Sequence, residues 1–170
     1  NSFYAPILVF VHTRFDHFKI CIESLLKCSE AKYSHLFISS DFQRNDDEKV
    51  DVDLIRNYVK TIKGFKSVTP IFFNKNVGIQ YASKFSTNKI FENYDQIIML
   101  EDDIEVSPFF LNYINQGLDF YKSDKKVLTI SGFSQLENLN EVYFSNAFNA
   151  WGFGTWKDKF KSFLNYRGSD

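Results

Sequence analysis

The sequence predicts an α/β fold, with a mostly parallel central sheet and helices on both of its faces. Apolar runs rich in β-branched residues alternate with stretches of helical periodicity along most of the 170 residues. Hydrophobic residues make up 44% of the chain, which excludes a disordered protein and provides for a buried core. Because parallel strands need crossover connections, the strand–helix–strand order indicates a sheet that is mainly parallel.

Six predicted strands are short runs bounded by polar or glycine-containing segments. The first run is apolar throughout, as expected for a strand that is buried on both faces. The fourth runs directly into a series of acidic residues. The strands are predicted at 6–11, 36–41, 68–73, 96–100, 126–131 and 141–148.

Helices are predicted between these strands from the spacing of their apolar residues. Phe15, Phe18 and Ile22 lie on one face of the first helix. In the fourth helix, Ser107 is a suitable N-cap and Pro108 suits the first helical position. An aromatic turn at 151–154 is predicted to precede a last helix from residue 155. The other helices are predicted at 15–27, 45–62, 77–91 and from residue 107 onward.

Charge and cysteine content limit the classes of partner and compartment. The 20 basic and 21 acidic residues nearly balance, so no nucleic-acid partner is expected. No apolar run approaches the roughly 20 residues that a transmembrane helix needs. Cys21 and Cys28 lie about 10 Å apart along one predicted helix, so free thiols are expected. We expect a cytoplasmic protein, with peripheral attachment to a membrane as the alternative.

Three consecutive carboxylates follow the fourth strand. Ligands of open α/β sheets bind at the carboxyl ends of the strands, where Glu101, Asp102 and Asp103 are predicted to lie. Carboxylates there suit a hard divalent cation, Mg²⁺ or Mn²⁺, with a diphosphate completing its ligand shell. A solvated acidic turn is an equally good interpretation of the three residues taken alone.

Polar residues and glycine also follow the first three strands. Arg14 is a candidate contact to a phosphate or a base edge, or an ordinary surface arginine at a helix start. Asp41 could accept hydrogen bonds from a ribose or a pyrimidine imide, or serve as an N-cap. Asn74, Asn76 and Gly78 suit a turn that approaches a ligand closely, or a plain junction between loop and helix.

Trp151 and Gly152 form the most aromatic of the predicted turns, with Gly154 close behind. Flat rings stack on the apolar faces of sugars, so Trp151 is a candidate wall of an acceptor-sugar site. A core tryptophan beside a bend is the alternative.

Taken together, these segments resemble the nucleotide-sugar glycosyltransferases of GT-A fold, a Rossmann-like fold. The resemblance is greatest to the N-acetylglucosaminyltransferase that starts N-glycan branching and to related bacterial sugar transferases. It spans nearly the whole chain, and the acidic motif with its following helix is its most specific part. The matching segments are 6–14, 39–41, 76–78, 100–110, 131–133, and 151–152 with Trp156.

The resemblance implies a role for each matching residue. Asp103 corresponds to the last acid of the Asp-x-Asp-type motif, which coordinates the Mn²⁺ or Mg²⁺ that bridges the donor diphosphate. Glu101 and Asp102 correspond to positions that hold the donor ribose and sugar or support the metal. Arg14 and Asp41 correspond to nucleotide contacts. The loop and acceptor-side residues are Asn76 and Gly78 near the nucleotide and diphosphate, and Gly132, Phe133, Trp151 and Gly152 near the acceptor.

The implied reaction is metal-dependent transfer of a sugar from a nucleoside diphosphate, with a UDP-sugar favoured, to a glycan or other hydroxyl acceptor. Inversion at the anomeric carbon is expected from the resemblance. The catalytic base is unassigned, because Asp158 and Asp170 are the only acids after Trp151 and both are weak candidates. We expect one domain over 1–170. Its donor-binding half is 1–106, and 107–170 begins an acceptor-binding half that is truncated at the chain's end.

Two other functions remain open on the sequence. A nucleotidyltransferase would need a glycine-rich phosphate loop after the first strand, where the chain has His12, Thr13 and Arg14 instead. A truncated, non-catalytic module that binds a nucleotide sugar without turnover is the more serious alternative. Donor hydrolysis or transfer would separate the enzyme from the binding module.

Overall fold

The computed structural model describes residues 3–134 and 141–160, and it confirms the α/β fold. Each predicted strand before residue 101 has an observed counterpart, followed along the chain by a helix. The strands are β1 (Ile7–Val11), β2 (His35–Ser40), β3 (Ser67–Phe72), β4 (Gln96–Glu101), β5 (Thr129–Ser131) and β6 (Phe153–Trp156). The helices are α1 (Phe15–Leu26), α2 (Lys49–Val59), α3 (Gly78–Phe91) and α4 (Phe110–Phe120).

The six strands form one sheet in the order β3-β2-β1-β4-β6-β5. The first four strands of that order are parallel to one another. β6 is antiparallel to both β4 and β5, so β5 points in the same direction as the parallel strands. The prediction of a mostly parallel sheet is therefore confirmed, with β6 as the reversed strand.

Helices cover both faces of the sheet, as predicted. Ile7, Val9 and Val11 of β1 face a core that also contains apolar residues of α1, α2 and α4. Leu8 and Phe10 face the opposite way, into a smaller core with residues of α3. Successive residues of a strand point to opposite faces, so a strand apolar on both faces can fill two cores.

The prediction was wrong for the chain after residue 140. Residues 141–148 form no strand, although they were predicted as one. Phe153–Trp156 is a strand, whereas a turn and the start of a helix were expected there, and the helix begins at residue 157 instead. The four residues of β6 are buried between β4 and β5. Phe153, Thr155 and Trp156 are of types that favour strands, but the nearby Gly152 and Gly154 led to the prediction of a turn.

A smaller difference from the prediction affects the start of α4. The prediction for the two cysteines is confirmed. The helix begins at Phe110, two residues later than predicted, although the Ser107 hydroxyl does accept the backbone N–H of Phe109. Cys21 and Cys28 are buried free thiols, as predicted. Within the described residues, no helix combines the length and the apolar character needed to cross a bilayer.

Candidate functional site

The carboxyl edge of the sheet gathers most of the sequence-predicted site residues. Arg14 follows β1, Asp41 follows β2, and Asp103 lies two residues beyond β4. Because these strands are parallel, their carboxyl ends lie along one edge. The reversed β6 begins at the same edge, since Phe153 pairs with Met99, and this brings Trp151 to it from the other side.

Arg14 is bonded to two of the three consecutive acids. Its Nη1 donates to Asp103 Oδ2 at 2.9 Å, and Nη2 forms an ion pair with Asp102 Oδ1. Nε reaches Asp102 Oδ2 at 3.4 Å. The interpretation of 101–103 as a merely solvated acidic turn therefore fails for Asp102, which is 4% exposed and ion-paired across 88 residues of sequence.

The three acids differ in how well water and protein stabilise their charge. Burial raises the pKa of Asp102, and the Arg14 guanidinium opposes that rise. Burial and the neighbouring Asp103 and Asp102 raise the pKa of Glu101. The Asp103 side chain is 37% exposed, and Arg14 is the only described side chain that bonds to it. The cluster thus concentrates negative charge, with Asp102 buried between the exposed Glu101 and Asp103.

The Asp41 carboxylate joins the end of β2 to the start of α3. Oδ1 accepts the backbone N–H groups of Phe42 and Val77 at 2.8 and 3.0 Å, and Oδ2 accepts that of Gly78 at 2.8 Å. Donors at a helix start have no partner within the helix, and a carboxylate is well suited to them. Asp41 therefore caps the start of a helix 36 residues further along the chain, and not the helix that follows it.

Arg56 is a residue at this edge that the sequence interpretation missed. Its guanidinium donates to the carbonyl oxygens of Ser40, Asp41 and Phe73, which follow or end β2 and β3. No local sequence pattern distinguishes a structural arginine from a surface one. Asn76 makes a further link, since its amide donates to the Phe42 carbonyl at 2.7 Å.

Gly132 and Gly152 allow the segments around them to approach α4 closely. The Gly132 N–H donates to the Gly152 carbonyl at 2.8 Å, which extends the pairing of β5 and β6. A Cβ on Gly132 would lie 2.3 Å from the ring of Phe110. Gly152 has a φ of +77°, and its Cβ would lie 3.3 Å from the same ring. The two glycines are therefore needed by packing and by backbone conformation.

A cleft of about 430 Å³ connects the acidic motif to the aromatic segment. Trp151 and Phe133 line one side of it, with ring centroids 4.6 Å apart in an edge-to-face contact. Asp103 also lines the cleft, as does the 78%-exposed Phe109. Trp151 is 56% exposed, so it is not a core tryptophan, whereas Trp156 is buried.

Asp158, one of the two weak candidates for the catalytic base, is not brought to this cleft. Trp156 pairs with Gln96 at the start of β4, and Lys157 donates to the Asp95 carbonyl. Asp158 therefore lies near the opposite edge of the sheet, roughly one strand length from the acids. Asp170 lies outside the described residues.

The acidic motif fits a hard cation that also takes ligands from an anion. Asp103 offers carboxylate oxygens, which Mg²⁺ and Mn²⁺ prefer, and it is accessible from the cleft. Across the described ranges, no three His, Cys, Asp or Glu side chains converge as a cation cage. Mg²⁺ is commonly bound through one or two carboxylates plus substrate phosphates, so a single accessible Asp103 is compatible with such a site.

Three solved structures share this fold at low sequence identity. A mannosyltransferase from Pyrobaculum calidifontis, in complex with GDP-Man and Mn²⁺, has a TM-score of 0.65 and 8% identity over 94% of this chain and 46% of its own. TarS from S. aureus has a TM-score of 0.54 and 11% identity over 71% of this chain and 20% of its own. A protein from Desulfovibrio desulfuricans G20, assigned as a nucleotide-diphospho-sugar transferase, has a TM-score of 0.54 and 13% identity over 92% of this chain and 64% of its own.

These likenesses show a fold of GT-A type, and this chain spans less than two thirds of each of the three structures. No curated protein sequence matches the chain. The sequence profile of the GNT-I family matches residues 2–149, which is most of the chain and includes every acid and loop residue predicted on the donor side. The resemblance seen in the sequence is thereby confirmed. The chain belongs to the GNT-I family.

Proposed function

We propose that the chain is the core of a metal-dependent glycosyltransferase that uses a nucleoside diphosphate sugar, with a UDP-sugar favoured. The observation that carries the proposal is the cleft that joins Asp103 to Trp151 and Phe133. Its lining includes a carboxylate that suits a hard cation and exposed rings that suit a sugar. Residues 1–106 would hold the donor, and 107–170 would begin the acceptor-binding half.

The described residues would mainly bind and orient the two substrates. Asp103 would hold Mn²⁺ or Mg²⁺, which when bound stabilises the negative charge of a departing diphosphate. Asp102 fixes the Arg14 guanidinium at the same edge. Glu101 lies at the end of β4, where a donor ribose or sugar would be within reach. Trp151 and Phe133 would place an acceptor hydroxyl for attack, with inversion as the expected outcome.

The bonds of Asp41 favour a diphosphate position away from Gly78. A helix N-terminus is a common site for phosphate, but the N–H groups of Val77 and Gly78 at the start of α3 already donate to Asp41. A phosphate at Gly78 would therefore compete with the Asp41 carboxylate. We expect the diphosphate closer to Asp103 and Arg14, and the nucleoside closer to Asp41 and Asn76.

The proposal predicts that the protein is stabilised by a nucleoside diphosphate only when a metal is present. We expect UDP with Mn²⁺ to raise the melting temperature, and Asp103→Asn to abolish the rise. Asp119→Asn is the matched control, since Asp119 is an exposed acid on α4 that pairs with Lys122. No shift with UDP, GDP or dTDP plus Mn²⁺ or Mg²⁺ would overturn the proposal.

Turnover distinguishes the enzyme from a binding module. The enzyme is expected to release UDP from a UDP-sugar in the presence of Mn²⁺, slowly to water or faster to an acceptor. Binding without release of UDP, GDP or dTDP from any corresponding nucleotide sugar would favour the non-catalytic module. Asp103→Asn should reduce release at least about 100-fold, if the carboxylate holds the metal.

A further inference from the structure

Arg14 already donates a hydrogen bond to the carboxylate to which the proposed function assigns the metal. Its Nη1 donates to Asp103 Oδ2 at 2.9 Å, while Nη2 and Nε contact the two oxygens of Asp102. Two of the three contacts are therefore made to the buried acid, and one is made to the accessible acid. The guanidinium is anchored on Asp102 and shared with Asp103.

This arrangement places a fixed positive charge beside any cation on Asp103. The arginine side chain is itself half exposed, so its charge is felt in the cleft rather than buried away from it. A divalent cation arriving alone would be repelled by the guanidinium and would compete with it for the same carboxylate. A cation that arrives with a nucleoside diphosphate brings excess negative charge, which the same guanidinium attracts.

We propose that Arg14 is a positioning residue that couples metal binding at Asp103 to diphosphate binding. Arg14 screens Asp103 from a free cation and yields its single contact to Asp103 when a diphosphate accompanies the metal. The bonds to Asp102 keep the guanidinium in place during the exchange. This inference rests on the proposed function, because it takes Asp103 as the metal ligand.

The test is a titration of the whole chain with Mn²⁺, followed by the electron paramagnetic resonance signal of free Mn²⁺, without and with saturating UDP. In the unmodified protein, UDP is expected to strengthen Mn²⁺ binding strongly. In Arg14→Gln, Mn²⁺ alone should bind about tenfold more tightly. The strengthening by UDP should shrink by at least the same factor, because the repelling charge and the diphosphate contact are both lost.

A double variant protects the test against a folding defect. Arg14→Gln alone leaves Asp102 buried without its partner, which is strongly destabilising. Arg14→Gln with Asp102→Asn removes both charges, keeps the net charge of the chain, and leaves Asp103 without a competing cation. It should also bind Mn²⁺ alone more tightly than the unmodified protein. Lys122→Gln, which removes one positive charge from a surface ion pair on Asp119, should change neither affinity.

The outcomes separate this inference from the proposed function. If Asp103→Asn leaves Mn²⁺ binding unchanged in the presence of UDP and of GDP, the metal site of the proposed function is wrong. If Asp103→Asn abolishes that binding but the double variant binds Mn²⁺ alone no more tightly than the unmodified protein, the role of Arg14 is wrong and the metal site stands. Tighter Mn²⁺ binding by Lys122→Gln would show that the affinity depends only on the net charge of the chain. That result would also overturn the inference.

Discussion

The two halves of the carboxyl edge are built on different physical principles. On the parallel strands, Arg14, Asp41 and Asp102 are tied into ion pairs and hydrogen bonds that span 36 to 89 residues of sequence. Beside the reversed β6, Trp151 and Phe133 present exposed rings to an open cleft. Buried charges must be paired, whereas exposed rings have no such requirement. We therefore expect substitutions to affect stability mainly on the donor side and recognition mainly on the acceptor side.

The largest effect is expected for Asp41→Ala on the donor side. Its carboxylate accepts three backbone N–H groups, and removing it leaves those of Val77 and Gly78 without their partner. The free energy of unfolding should fall by about 2–3 kcal/mol, measured by urea denaturation. Asp119→Ala, on the exposed surface of α4, should change it by less than about 0.5 kcal/mol. An equal loss in both variants would contradict the difference between the two kinds of site.

Two glycines with the same backbone conformation give a second comparison. Gly78 and Gly152 have φ values of +76° and +77°, so alanine should cost about 1 kcal/mol of strain at either position. A Cβ on Gly152 would also lie 3.3 Å from the Phe110 ring, whereas a Cβ on Gly78 would meet nothing within 4 Å. Gly152→Ala should therefore destabilise by about 2 kcal/mol and Gly78→Ala by about half as much. Equal losses on urea denaturation would show that packing on α4 contributes nothing at Gly152.

Trp151→Ala tests whether the exposed ring can be removed without changing the binding of UDP and Mn²⁺. The ring is more than half exposed, and its main described ring contact is the edge-to-face pair with Phe133. Its loss should lower the free energy of unfolding by about 1 kcal/mol or less. The stabilisation by UDP and Mn²⁺ should be unchanged. A variant that folds but no longer responds to UDP with Mn²⁺ would show that the halves are coupled.

The smallest expected effect is a pH-dependent rise in the melting temperature of the Glu101→Gln variant. Burial and the adjacent acids raise the pKa of Glu101, so its charged form is less favourable in the folded chain than in the unfolded one. That penalty is present at pH 7 and disappears as the pH falls through the raised pKa towards the ordinary value. Glu101→Gln should therefore melt about 1–3 °C higher at pH 7 and equal the unmodified protein near pH 4. A gain that is constant with pH would show that the charge is not its cause.

Much of the edge formed by the parallel strands could be predicted, because the sequence patterns that indicate it are local. Each buried strand is a short apolar run, and the residues that follow it are polar, so the positions of Arg14 and Asp103 at the edge follow from the order of elements. Their bonds could not be predicted. The pairing of Arg14 with Asp102 was not among the roles predicted for Arg14, because only the sheet brings residues 88 apart into contact.

The strand that follows Trp151 was harder to predict because Gly152 and Gly154 suggested a turn, whereas pairing with two neighbouring strands holds the segment extended. Phe153–Trp156 forms between β4 and β5, where Gly154 allows Ile114 of α4 to pack against it. The reversal of this strand also explains why Trp151 lies at the cleft while Asp158 lies near the opposite edge.

The α/β class, the parallel strands up to β4 and the position of the acids after β4 are all readable from the amino-acid sequence. Hydrophobic periodicity and the polar ends of strands are local properties, and they suffice for that much. The tertiary structure alone decided which charges neutralise one another, that Asp41 caps α3, and that β6 runs backwards. These depend on which distant segments meet, and a buried charge or an unpaired strand edge is stabilised only once they do.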